Sequence, residues 1–418
     1  MSTAAPLPAD APESVSRDPA FRHYWFARLC TTIAYQVVTV AVGWQMYDLT
    51  RDAFMLGMVG LVQFLPSIAL ILMSGHVADR FDRRVIVRTC QSLEALLAIG
   101  MAVASFTGWI NRDFIFVFVA LMGACRAFET PTLQALLPSV VTPQALPRAV
   151  ALASSAAQTA IIIGPAMGGF AYVAGPGVVY AIAGVLFAVA AVLVASLKLR
   201  QVAPRSTAPV SIKTLFAGFS YIRSHPILLG AVSLDMFAVL LGGATALLPI
   251  YARDILHTDA WGLGLLRSSP AIGALVMALW LSRHPLNRRV GRIMFGAVAL
   301  FGAATMVFGI SNWLPLSMGA LVVLGASDMI SVVVRQTLVQ LDTPDDMRGR
   351  VGAVNSVFIG ASNQLGEFES GVTAAWLGPV GAVLLGGIGT ILVVGAWMRL
   401  FPALASRDRL HEQTGTAR

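Results

Sequence analysis

The chain has 418 residues, 57% hydrophobic and only 12% charged, with 38 glycines and a net charge of +8. An ordinary soluble domain carries about 25% charged residues, so this composition excludes a water-soluble globular protein and places most of the chain in a bilayer. The positive balance calls for no nucleic acid; it fits the cytoplasmic face of a membrane protein beside anionic lipid.

Residues 1–20, MSTAAPLPADAPESVSRDPA, are polar, rich in Pro and Ala, and lack a signal-peptide pattern; they read as a disordered tail. A bilayer-crossing helix needs about 20 apolar residues. Six such stretches follow, near 25–48, 54–75, 85–107, 114–138, 148–174 and 178–197. Residues 198–226 form the one long linker. Six more stretches lie near 227–250, 262–282, 292–310, 315–340, 350–376 and 380–402, and a tail, 403–418, ends the chain. The fold class expected is all-α and integral to the membrane. It has twelve transmembrane helices in two pseudo-symmetric six-helix bundles, 21–197 and 227–402, around a central cavity.

Arg and Lys favour the cytoplasmic side of a membrane protein. Of the 29, 23 fall in tails and loops on one side. Three, Arg51, Arg112 and Arg253, fall on the other, and three more, Arg126, Arg267 and Arg335, lie within spans. This alternation, loop by loop, supports twelve spans, a multi-pass protein of the inner (plasma) membrane, and cytoplasmic N- and C-termini. The halves repeat each other. GAC at 123–125 matches GAS at 325–327, VTPQALPRAV (141–150) matches DTPDDMRGRV (342–351), and residues 75–84 and 283–292 both cluster arginines between the second and third spans. Two repeated halves are a transporter arrangement with the substrate path between them.

The loop GHVADRFDRR (75–84) resembles the signature loop of the major facilitator superfamily, roughly G-x-L-A-D-R-x-G-R-R/K. Gly75, Ala78, Asp79, Arg80, Arg83 and Arg84 match, Val77 replaces Leu, and Asp82 stands where many members have Gly. The second-half copy, SRHPLNRRVGR, keeps Arg288, Arg289 and Gly291 but no acid. GPAMGG (164–169) resembles the family's antiporter motif, and Arg126 its membrane arginine. Within the superfamily the chain is similar to drug and siderophore exporters of the enterobactin-exporter type. The resemblance implies a monomeric secondary transporter that exports a small amphiphilic molecule by alternating access and proton antiport. A lipid or lysophospholipid transporter is the alternative. A non-transporting receptor or scaffold is a third class, against which the intramembrane charges argue.

Arg83, Arg84 and Arg88 serve as topology anchors. Asp79 gains nothing from that rule. Just past a helix end, it can dock on the N-terminus of the eleventh span near Arg348 and Arg350, where the helix dipole favours an acid. Asp79, with Gly75, Arg80, Arg83 and Arg84, then clasps the halves, and the resemblance implies the same role. Gly164, Pro165, Gly168 and Gly169 read either as a close-packing face or as substrate contacts.

A charge inside a span costs about 2.5–3.5 kcal/mol, so each one is a functional candidate. They are Glu94, Arg126, Glu129, Asp235, Arg267, Asp328, Arg335, Glu367 and Glu369. Arg126 and Glu129 can pair at i,i+3, and Thr130 and Gln134 extend their face, as a structural pair or as cavity wall. Asp328, Ser331 and Arg335 share another face. In the eleventh span Ser356, Asn363, Glu367 and Ser370 make one polar stripe, with Asn355, Ser362 and Glu369 beside it; such a helix cannot face lipid. Asp235 has no base within a turn. Burial of an unpaired carboxylate favours its neutral form, so Asp235 and Glu367, with Glu129 third, are the proton-coupling candidates. Glu94 reads as a packing or interface residue, and Arg267 as a snorkelling one near the outer end of its span. No nucleotide loop or nucleophile motif is present. The three cysteines and six histidines lack ligand spacing, so neither metal nor cofactor is expected.

Overall fold

The computed structural model describes residues 15–199, 212–286 and 288–409; within these, the side chains of 71–72, 75–76, 79, 212–215 and 345–346 lie outside the description. Four of the first helices start where the sequence supplies a cap. Asp18 accepts from the Ala20 N–H ahead of α1 (Pro19–Thr50), Asp52 from Phe54 ahead of α2 (Ala53–Arg80), Asp82 from Arg84 ahead of α3 (Arg83–Phe106), and Asn111 from Phe114 ahead of α4 (Arg112–Val140). Each side chain satisfies an N–H that the helix leaves orphaned. Proline opens α5 (Leu146–Tyr172) and α6 (Pro176–Ala195), where its missing N–H removes no bond.

The linker contains a helix that the apolar pattern did not reveal, α7 (Ile212–Ser224). Five helices follow: α8 (Pro226–Leu241), α9 (Ala260–Arg283), α10 (Val290–Ile310), α11 (Leu314–Leu341) and α12 (Asp345–Leu400). Short helical turns extend α8 to Ile255, making one crossing of Pro226–Ile255. Gly378, at φ 75° and ψ 164°, breaks α12 ahead of Pro379. Among the described residues eleven helices are long and apolar enough to cross a bilayer. The break in α12 divides the last into two spans, and no strand is present among the described residues.

Helices α1–α6 pack on one another, and so do α8–α12; the two sets meet where α2 lies on α12 and α5 on α9. The halves repeat a packing detail. A Cβ at Gly123 would collide with the Gln63 carbonyl of α2, and one at Gly325 with the Pro270 carbonyl of α9. GAC and GAS therefore mark equivalent close helix approaches in the two halves.

Both described chain ends lie at one end of the bundle, here called the basic end. His23 contacts Ser196 there, and Arg407 pairs with Asp342. The apolar core is divided unevenly along the axis. Towards the opposite end a single cluster runs through both halves, from Val37, Trp44 and Tyr180 to Leu248, Leu263 and Phe308. Towards the basic end each half has its own, one around Tyr24, Leu136 and Val194, the other around Leu228, Phe295 and Leu338. The halves are thus fused at one end and separately cored at the other.

Candidate functional site

A cavity of ≈ 260 Å³ lies between the halves. The first half supplies Tyr35, Gln36 and Thr39 of α1, Gln63 of α2, and Phe118 and Met122 of α4; the second supplies Arg267 of α9 and Asn363, Gln364 and Glu367 of α12. The guanidinium of Arg267 lies against Gly43 of α1, and the carboxylate of Glu367 against Gly60 of α2. Both charges of the second half therefore project onto the first. Arg267 Nε and Gln364 Oε1 are buried without a hydrogen-bond partner, which makes them groups that a bound molecule can satisfy. The position of Arg267 corrects the snorkelling expectation. Its guanidinium lies beside Gly43 of α1 on the cavity wall, so its head meets the cavity and not the lipid–water interface.

Behind the cavity wall the first half holds a polar cluster. Gln63 Nε2 donates to the Tyr35 hydroxyl at 2.6 Å, and Arg126 stacks on the Tyr35 ring at 3.9 Å. Such a cation–π contact is worth about 0.5–2 kcal/mol. Arg126 Nη1 sits 3.8 Å from Glu129 Oε2. The other oxygen of Glu129 accepts from Thr31 Oγ1 at 2.9 Å and Gln91 Nε2 at 3.0 Å. Arg126 thus connects a buried acid to a cavity residue. Thr130 and Gln134 are exposed and are not on the cavity wall.

The second half has its own ionic cluster. Arg335 Nη2 lies 3.2 Å from Asp235 Oδ2, and Nη1 donates to Asn355 Oδ1 at 3.1 Å. This corrects the reading of Asp235 as an unpaired carboxylate. Its base stands 100 residues further along the chain, on α11, which the spacing within its own helix could not reveal. Asp235, Asp328 and Ser331 line one small void. None of these, nor Glu369, which accepts from Thr373 Oγ1 at 2.8 Å, is on the wall of the central cavity. Of the candidates read from the sequence, Arg267, Asn363 and Glu367 are on that wall, and Arg126 lies one residue behind it.

The end opposite the termini is closed by a network absent from the sequence reading. Arg253 pairs with Asp48, Tyr47 donates to Asp254, and Arg51 Nη1 lies 3.7 Å from Asp254 Oδ1. Arg253 also covers Trp44. Asp48 and Arg51 end α1, and Arg253 and Asp254 end the extended α8, so every one of these contacts joins the two halves. The available signal was their exception to the charge rule: Arg51 and Arg253 are two of the three basic residues on the sparse side. Glycine contacts lie on either side of this latch. A Cβ on Gly57 would stand 2.9 Å from Gly371 Cα, and one on Gly169 2.9 Å from Gly264 Cα. Within GPAMGG, Gly164 and Gly168 face Gln36 and Val37 of α1, and Pro165 offers its carbonyl towards Gly264. A separate cleft of ≈ 330 Å³, lined by Tyr47, Arg51 and Asp254, opens beyond the latch.

Residues 11–414 match the profile of the transmembrane secretion effector family. The chain belongs to that family of major facilitator transporters. Curated relatives include the enterobactin exporter EntS of Citrobacter koseri, 24% identical over 376 residues covering 90% of each chain. The enterobactin exporter EntS of Shigella boydii serotype 18 is 23% identical over 390 residues covering 91% of each. Solved structures with this fold include a variant of the nucleoside transporter NupG. Its TM-score is 0.73 at 12% identity, covering 91% of this chain and 100% of that one. Another is a bacterial homologue of the human lysosomal transporter Spinster, inward-facing and unoccupied, at TM-score 0.71 and 13% identity, covering 95% and 98%.

The family's signature loop is here largely helix. Gly75, Asp79 and Arg80 belong to the last turns of α2, which runs past the expected end at 75 because a helix need not stop where its apolar stretch does. Gly75 and Asp79 fall among the residues whose side chains are not described. Asp82, in the family's Gly position, caps α3 and pairs with Arg84 at 2.8 Å, and that hydrogen-bonded guanidinium holds its carboxyl below the usual carboxylate range. Arg83 donates to the Ala135 carbonyl and Arg84 to that of Leu197. Arg348 donates to the carbonyls of Gln340 and Thr343, and Arg350 points to Met347 Sδ. These arginines fasten loops within their own halves.

Proposed function

We propose that the protein is a secondary active exporter that moves a small amphiphilic molecule, a drug or a siderophore, by alternating access and proton antiport across the inner membrane. The basic end is the cytoplasmic one, where anionic lipid and the charge rule place it. The reading rests above all on one observation: a cavity walled by both halves, with one apolar cluster and an ionic latch on one side and separate cores on the other. That arrangement supports an inward-facing state. Arg267 and Glu367 give the cavity both signs of charge on a wall that mixes amides and hydroxyls with apolar groups such as Phe118 and Met122, which suits an amphiphile carrying ionisable groups. The relatives named as enterobactin exporters support export of a siderophore-like cargo.

In the proposed cycle the latch between α1 and α8 opens as the basic ends close. Asp79 docks on the N-terminal end of α12 near Arg348 and Arg350 in that closed state. Glu367 and Glu129 are the coupling carboxylates; Asp235, held by Arg335, serves the second half's integrity. Flux into inside-out proteoliposomes tests the reading, with a panel of catecholate siderophores and lipophilic cations, with and without an imposed pH gradient. Accumulation of one class that rises with an acidic lumen supports it. No gradient-dependent flux of any panel member removes proton antiport.

A further inference from the structure

Glu94 of α3 is 0% exposed, and neither of its carboxyl oxygens has a hydrogen-bond partner. One turn before it, Gln91 spends its amide N–H on Glu129 and leaves its own Oε1 unpartnered, and Thr132 Oγ1 on α4 is buried and unpartnered too. The charged groups facing Glu94 are Glu129 and Arg126, both from α4. Cys90 of α3 and Cys125 of α4 are its other titratable neighbours. From α1 the cluster receives Thr31 on Glu129 and Tyr35 under Arg126. From α6, which packs against α3 beside Ala95 and Ile99, the titratable group is Tyr180, engaged with Gln45.

The site therefore has two carboxyl groups and one base. Arg126 is committed to Glu129 and to the Tyr35 ring, so a charge on Glu94 would be buried and uncompensated. Such a charge is so costly that the group neutralises instead. We propose that Glu94, Arg126 and Glu129 form a proton-binding site, with Glu94 carrying the proton while Arg126 holds Glu129. When the proton leaves, Arg126 must be shared between two carboxylates, and its stacking on Tyr35 changes at the cavity wall. Proton loss is thereby felt where cargo binds, without either acid touching it. That this is the transported proton rests on the antiport reading above.

Infrared spectroscopy of the purified protein tests the site directly. The protonated-carboxyl carbonyl stretch of the wild type loses one component in Glu94→Gln, and that component is retained in Glu367→Gln and Asp235→Asn. A band unchanged in Glu94→Gln overturns the proposal. Glu94→Gln replaces a neutral group by a neutral one of the same shape, so its melting temperature stays near the wild type; a large fall would mean that Glu94 is ionised and paired, and would overturn it as well. In proteoliposomes Glu94→Gln abolishes pH-gradient-driven accumulation yet keeps exchange of labelled for unlabelled cargo. Gradient-driven accumulation in this variant removes the transported-proton role. If the wild type shows none either, the antiport reading fails, while the infrared result still decides whether Glu94 binds the proton.

Discussion

Arg253, at the end of the second half's first span, pairs with Asp48, at the end of the first half's first span. The same two helix ends bring Tyr47 and Arg51 to Asp254. Pseudo-equivalent elements of the two halves thus close one end of the cavity with side chains that water can reach and salt can screen. This is a seal that can be broken without unfolding either half.

Arg253→Ala together with Asp254→Asn should weaken this seal. Half-exposed ion pairs are worth about 0–1 kcal/mol each, and 1.4 kcal/mol shifts a two-state equilibrium tenfold. The expected outcome is a several-fold rise in the population open at that end, with little change in thermal stability. Spin-label distances between the ends of α1 and α8 measure it.

Gly264→Leu should do the reverse of a local repair. Its Cβ would stand 2.6 Å from the Pro165 carbonyl and 3.1 Å from Gly169 Cα, so α5 and α9 must part. The variant is expected to insert and fold, to show longer α5–α9 distances at that end, and to lose transport. Wild-type distances and flux would mean the contact is incidental.

Asp235→Asn leaves Arg335, only 2% exposed, as a buried charge without its carboxylate. Breaking one side of a buried pair costs about 3–5 kcal/mol, whereas replacing both sides by apolar groups can be neutral. The single variant should therefore melt well below the wild type in detergent. Asp235→Leu with Arg335→Met should recover much of the loss. A proton-coupling role for Asp235 would instead leave stability intact and change only gradient-driven flux.

The span count and the repeat were legible because a bilayer imposes a length ruler and a charge rule on the sequence itself. The intramembrane charges were legible as exceptions to that apolar background. Their partners were not. Asp48 meets Arg253 and Asp235 meets Arg335 across about 200 and 100 residues, so neither pair leaves a periodic trace along one helix. The cavity wall was partly hidden for another reason. Tyr35, Gln36 and Gln63 are uncharged residues set in largely apolar stretches, and a search for charges passes over them. The apolar ruler also ended α2 too early at 75, because GHVADR continues the helix beyond the hydrocarbon.

Asp79→Asn addresses the clasp. An acid at a helix N-terminus is worth about 0.3–1 kcal/mol, up to about 2 when partly buried. That is small against folding and large against an open–closed equilibrium of a few kcal/mol. The variant should favour the state open at the basic end and slow turnover. Asp82→Asn should act differently: asparagine caps a helix as well as aspartate does, so the variant loses only the half-exposed pair with Arg84, worth about 0–1 kcal/mol, with no shift in the distance between α2 and α12. A larger conformational shift in Asp82→Asn than in Asp79→Asn would end the clasp.

The central claim is that one cavity is open to one side at a time. Its most direct test places a single cysteine at Asn363, on the cavity wall, in a protein whose Cys30, Cys90 and Cys125 are replaced. Membrane-impermeant reagent is then applied from each face of oriented vesicles. Without cargo, labelling is expected from the cytoplasmic face and excluded from the other. The Arg253→Ala, Asp254→Asn variant is expected to admit reagent from the second face as well. Equal labelling of the unaltered latch from both faces, or from neither, would contradict the account.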